Sequence, residues 1–81
     1  MFNELKNYVL ENKFKINILD NLINIINYKD IDHFDDKRII ISKDKGYVIV
    51  KGEKLVIAKL LQDEVLINGI VRSIEFNDWN S

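Results

Sequence analysis

Along the first stretch of the chain the apolar residues Phe2, Leu5 and Val9, with Tyr8 on the adjoining edge, recur at steps of three and four. That spacing forms one stripe of a helix. Asn3 suits the N-cap, and Glu4 places a negative charge in the first turn, where the helix dipole favours it. A short helix over residues 2–12 is predicted, stable only if its stripe packs against something else. From Phe14 the period drops to two. Phe14, Ile16 and Ile18 alternate with Lys15 and Asn17, and Ile23 and Ile25 follow beyond a turn at Asp20 and Asn21. Alternation of this kind marks strands with one buried face.

Dense β-branched runs come next: Arg38–Ser42, Tyr47–Val50, Leu55–Ala58, Val65–Ile67 and Ile70–Phe76. β-Branched side chains lose rotamer freedom in a helix and fit a pleated surface, so these runs are predicted strands. The three glycines fall between them. Asp44-Lys45-Gly46 suits a hairpin loop with glycine in the left-handed position, Gly52-Glu53 suits a two-residue turn, and Asn68-Gly69 is the strongest short hairpin signal. Gly46, Gly52 and Gly69 are therefore the expected turn glycines.

These elements predict a mainly β fold: a short N-terminal helix and then an antiparallel meander of about six to eight strands, forming a curled sheet or small sandwich. The alternative is a β-solenoid-like coil with Gly52 and Gly69 at its corners. One domain over residues 1–81 is expected, its β-rich region spanning 14–76 and a short polar tail 77–81. Val48 and Val50 oppose Tyr47 and Ile49, while Val56 and Ala58 oppose Leu55 and Ile57, so both faces of these strands are apolar. Such strands need cover on both sides, and a single short helix cannot supply it. Self-association or a protein partner is expected on this ground.

Composition narrows the function classes. Twelve basic residues against thirteen acidic ones give a net charge of −1, with the signs interspersed. Lys51, Lys54, Lys59 and Arg72 near Tyr47 could serve a small nucleic-acid-binding β-barrel, the runner-up reading. Asp44, Glu53, Asp63, Glu64 and Glu75 dilute that patch, and phosphate binding needs a cationic excess, so no nucleic-acid partner is expected. The absence of cysteine removes disulfides and thiolate chemistry. No apolar run reaches the roughly 20 residues of a membrane-spanning helix, and the start lacks the pattern of a secretory signal. A soluble cytoplasmic chain is expected.

The sharpest chemical candidate is the single histidine, His33, among Asp30, Asp32, Asp35 and Asp36. In a simple strand Asp30 and Asp32 share a face, His33 lies opposite, and the remaining aspartates fall in the next turn, so they do not converge on one ion. A solvated turn is the expected reading, with Tyr28, Ile31 and Phe34 anchoring the connection to the core. Ser42, Ser73 and Ser81 lack a nucleophile-elbow setting, and no glycine-rich phosphate loop occurs. No enzymatic activity, cofactor, metal or small-molecule substrate is expected.

The order INILDNLINIINYKDIDHF and then RIIISKDKGYVIVKGEKLVIAKLLQDEVLINGIVRSIEF resembles the YabP/YqfC family of sporulation proteins, closer to the YqfC branch. The resemblance is carried by Gly46 opening a strand, by the Leu-x-Ile of Leu55 and Ile57 after Gly52, and by Gly-Ile-x-x-Ser-Ile-x-Phe from Gly69 to Phe76. Asn27 and Phe34 also match positions where members carry an asparagine and an aromatic. The resemblance spans about residues 16–76. It implies a non-enzymatic structural or scaffolding protein of endospore formation, in the mother-cell cytoplasm or peripheral at a membrane, with a membrane-protein partner of the YqfD type. The residues expected to make such contacts are Tyr47, Ile49, Leu55, Ile57 and Trp79. Trp79 either folds back onto the sheet or anchors a partner, since its large apolar area is costly to leave in water.

Overall fold

The computed structural model describes residues 13–79, so the helix expected over 2–12 lies outside the described residues. The described chain is a single six-stranded antiparallel sheet in the order β1-β2-β6-β5-β4-β3. Its strands are β1 (Lys15–Leu19), β2 (Leu22–Ile26), β3 (Asp30–Phe34), β4 (Arg38–Lys43), β5 (Gly46–Leu60) and β6 (Glu64–Asp78). The expected turn at Asp20 and Asn21 joins β1 to β2, with Leu19 paired to Leu22. Every pairing is antiparallel, which rules out the stacked coil, whose successive turns would run parallel.

Two of the glycine signals do something other than turn the chain. β5 and β6 are each 15 residues long, and each merges two predicted strands into one. Gly52 lies inside β5 opposite Val71, and Gly69 lies inside β6, so neither Gly52-Glu53 nor Asn68-Gly69 is a hairpin turn. Both glycines sit where the β5–β6 ladder slips register, at the shifts between Lys51 and Gly52 and between Glu53 and Val56. Such bulges bend a strand and sharpen its twist. At the remaining turn, Lys43 pairs with Gly46, and Lys45 rather than glycine takes the left-handed conformation, at φ 64°.

The bend lets one sheet make its own core. Before it, β5 pairs with β4; beyond it, β5 has no partner on that side, while the first part of β6 pairs with β2. One half-sheet therefore consists of β1, β2, the start of β6 and the end of β5. The other consists of β3, β4, the start of β5 and the end of β6. Register places Ile23, Ile25, Val65 and Ile67 on one face of the first half and Ile39, Ile41, Val48 and Val50 on one face of the second. All eight are fully buried and join Leu55 in a single cluster, so the two faces look at each other across a folded-over sheet. Burial of each such side chain contributes about 1.5–3 kcal/mol. The expected curled sheet is the observed one, and it is not closed into a barrel.

Bulges strip N–H groups from the ladder, and a buried donor without an acceptor costs about 1–3 kcal/mol. The β3–β4 turn supplies the acceptors. Gly52 N donates to Lys37 O at 2.9 Å, and Leu55 N donates to Asp36 O at 2.8 Å. At the other end of the fold an open cleft of about 480 Å³ is lined by Phe14, Asn27, Tyr28, Lys29, Asp44 and Asp63. Asn27, left-handed at φ 65°, donates its N–H to Asp63 O there.

The bend requires close backbone approach at Gly52. A Cβ added there would lie 1.9 Å from Ile70 O, a backbone atom that cannot swing aside. Gly52→Ala is expected to destabilise the fold by about 1–3 kcal/mol, lowering the melting temperature by roughly 4–8 °C per kcal/mol in a domain of this size. Ser73→Ala, exposed on the facing strand, should stay within about 0.5 kcal/mol. Thermal unfolding followed by circular dichroism checks both, and an unchanged melting point for the glycine variant would overturn this account of the bend.

Candidate interaction surface

The histidine and its aspartates resolve into a clamp on the bend. Asp35 Oδ1 accepts from the backbone N–H of Lys37 at 2.8 Å and of Arg38 at 2.7 Å, and Oδ2 lies 2.7 Å from His33 Nε2. An aspartate that accepts from the backbone two and three residues on stabilises a tight turn. Here it fixes the turn whose carbonyls hold Gly52 and Leu55. The arrangement also corrects the facing predicted for this strand. Asp32 is a bulge residue between Ile31 and His33, and the extra residue turns His33 onto the same face as Asp30. Among the described residues no group of three or more His, Cys, Asp or Glu side chains is placed to hold a metal ion. Tyr28 and Ile31 pack on the core as expected, whereas Phe34 is exposed.

Cationic residues of the alternative nucleic-acid patch are partly engaged within the sheet. Lys51 Nζ lies 2.8 Å from Glu75 Oε2, and Arg72 donates to Glu53 Oε2 at 3.2 Å. Exposed pairs of this kind add little stability, but they lower the positive potential of the patch.

The open edges of the sheet are its most distinctive surface. Among the described residues each half-sheet ends in strands with one neighbour, and each of these carries a large apolar side chain on the core-facing side. Ile18 stands beside buried Ile23, Leu60 beside Val65, Phe34 beside Ile39 and Phe76 beside Val48. Their neighbours are fully buried, yet Ile18 is 59% exposed, Leu60 57%, Phe34 48% and Phe76 58%. Among the described residues the core thus runs out to the rims without cover. An edge strand with unpaired backbone groups beside exposed apolar side chains is a template for another chain.

The predicted contact residues distribute unevenly over this surface. Leu55 is 1% exposed and belongs to the core, so it offers no contact: the bulge turns it inward, against the simple alternation that would place it outside. Ile57 is half-buried and packs against the core. Tyr47 and Ile49 lie half-buried on the outer face of the second half-sheet, opposite Asn77 and Glu75. Trp79 is 61% exposed, while its backbone N donates to Lys45 O at 2.9 Å. The main chain is therefore pinned to the β4–β5 turn and the indole points away. β6 runs through Asp78, into what composition alone reads as a polar tail. Phe76, Phe34, Ile18 and Leu60 are the surface residues that alternation missed, because it identifies the inner face of a strand but not whether a second layer covers it.

The molecule is a folded-over antiparallel β-domain with an aliphatic core and open, apolar edges. The YabP family model matches residues 7–81, and the chain belongs to that family. No curated protein and no solved structure matches it. Among the described residues no helix is long and apolar enough to cross a membrane.

The Asp35 clamp has a pH signature. The His33 ring and then the Lys37 N–H, with a contribution from Arg38, hold the Asp35 carboxyl at about 2, against an ordinary 3.8. Between those values the unfolded chain binds more protons than the folded one, so stability falls as pH falls. The Asp35 contribution is fully present above about pH 4 and is lost on descent to about pH 2. Asp35→Asn is expected to lower the melting temperature at pH 7 and to flatten its decline between pH 4 and 2. An acid limb identical to that of the wild type would remove Asp35 from the clamp.

Proposed function

We propose that this protein is a non-enzymatic structural component of endospore formation, acting in the mother-cell cytoplasm by self-association and by contact with a membrane-protein partner of the YqfD type. Membership of the YabP family is consistent with a role in sporulation. The motifs at Gly46, at Leu55 and Ile57, and from Gly69 to Phe76 favour the YqfC branch, and the partner follows from that likeness. The observation that carries the mechanism is the outer edge of β6, which among the described residues has no strand partner but β5 from Ile70 to Asp78 and carries Phe76 58% exposed, with Trp79, 61% exposed, just past its end. Exposed aromatics at an unsatisfied strand edge suit binding by strand addition, in which main-chain hydrogen bonds give affinity and side chains give selectivity.

Deletion of the gene in its own host, scored by heat-resistant spore counts, is the test. Loss of spores, restored by the wild-type gene and not by a stably folded Trp79→Asp variant, is the expected result. Normal sporulation of the deletion strain would overturn the role. Full rescue by the Trp79 variant would overturn the assignment of this surface.

A further inference from the structure

The open edges are not equivalent. β3 is blunted by the Asp32 bulge and by the charge of Asp30, and the outer part of β5 is broken by a slip between Ile57 and Lys59. Bulges and charges are the usual means of preventing edge-to-edge pairing. β1 has only five residues, and short edge strands are another such means. The β6 edge from Ser73 to Asp78 is different: its ladder to β5 runs without a register shift from Lys51–Ser73 to Gly46–Asp78. It contains no glycine, proline or lysine.

We infer that this edge pairs antiparallel with the same edge of a second copy, about a two-fold axis at Phe76. The inference rests on the self-association part of the reading above and assigns its surface. Two identical antiparallel strands related by an axis normal to the sheet pair residues of like face, so the centre of the pairing falls on one residue. Centring on Glu75 sets Glu75 against itself, and like charges directly opposite are destabilising. Centring on Phe76 sets Phe76 against Phe76 of the second copy and Glu75 against Asn77 twice over, once on each side of the axis. The Asn77 amide then donates to a carboxylate that Lys51 also approaches, at 2.8 Å. On the core-facing side the cross-strand row Ile41, Val48, Phe76 continues into its mirror sequence. The Phe76 ring, 58% exposed, gains cover there. Ser73 falls opposite Trp79 of the second copy, so the exposed indole lies along the seam.

The absence of cysteine makes the register directly testable. Directly opposed antiparallel residues have Cα atoms about 4.5–5.5 Å apart, within the range a disulfide spans. In the full chain, Phe76→Cys under mild oxidation is expected to give a disulfide-linked dimer, while Ile18→Cys and Phe34→Cys remain monomeric on denaturing gels. Two further variants keep Phe76 in place. Asn77→Asp should raise the dimer dissociation constant at least tenfold by light scattering, and Asn77→Lys, which meets Glu75 with opposite charge, should lower it. A folded Phe76→Cys variant that does not cross-link, or equal cross-linking through Ile18, would overturn this edge while leaving self-association standing. A wild-type chain that stays monomeric at several hundred micromolar would overturn both.

Discussion

The whole architecture depends on the bend shared by β5 and β6. A flat sheet with these sequences would expose one apolar face to water. By breaking register at Gly52 and again opposite Gly69, the long hairpin folds the two halves of the sheet face to face. Isoleucines that lie on separate strands thereby become one cluster. The bend brings its own difficulty, since bulged N–H groups leave the ladder. The β3–β4 turn resolves it by offering the Asp36 and Lys37 carbonyls to Leu55 and Gly52, and Asp35 keeps that turn in shape. The acidic cluster around His33 is thus a structural device for the core, placed well away from the rim that carries Phe76.

Folding one sheet onto itself has an unavoidable geometric consequence. Each half-sheet has outer strands, and among the described residues these have partners on one side only. A barrel would remove such edges by closure, and a bent open sheet keeps them. Here they are not treated alike. β3 carries a bulge and aspartates, while the end of β6 remains regular and bears aromatic residues. A bulged rim at β3 and a regular one at the end of β6 give the surface a direction.

Much of this was legible in the sequence. The change of period at Phe14, the turn at Asp20 and Asn21, and the Ile23/Ile25 pair identify strands with one buried face, because alternation is a local property of the backbone. Local signals failed where a distant ladder partner decides the conformation. Asn68-Gly69 has the chemistry of a hairpin turn, but β5 and β2 both pair with the residues around it, so the chain runs on as strand and glycine serves close approach. Leu55 and His33 were assigned to the wrong faces for a related reason: a single bulge inverts the side-chain parity of everything beyond it. The exposed rims were invisible for a different reason. Whether Phe76 is covered depends on how the two half-sheets overlap, and nothing in its immediate sequence encodes that.

The division of side chains between core and rim bears on what the rims are for. The buried cluster consists of isoleucine, valine and leucine, with no aromatic member among the described residues. Phe34, Phe76 and Trp79 stand more exposed, the two phenylalanines on the core-facing side of edge strands. Aromatic rings bury large areas at low entropic cost and dominate the energetics of protein contacts. Packing pressure alone would draw these rings into the interior, where they would contribute most to folding. Their place at the edges leaves that stabilisation unused within the described sheet, and the regular β6 rim is where exposed aromatic area and an outer strand edge coincide, the combination on which the proposed contact rests.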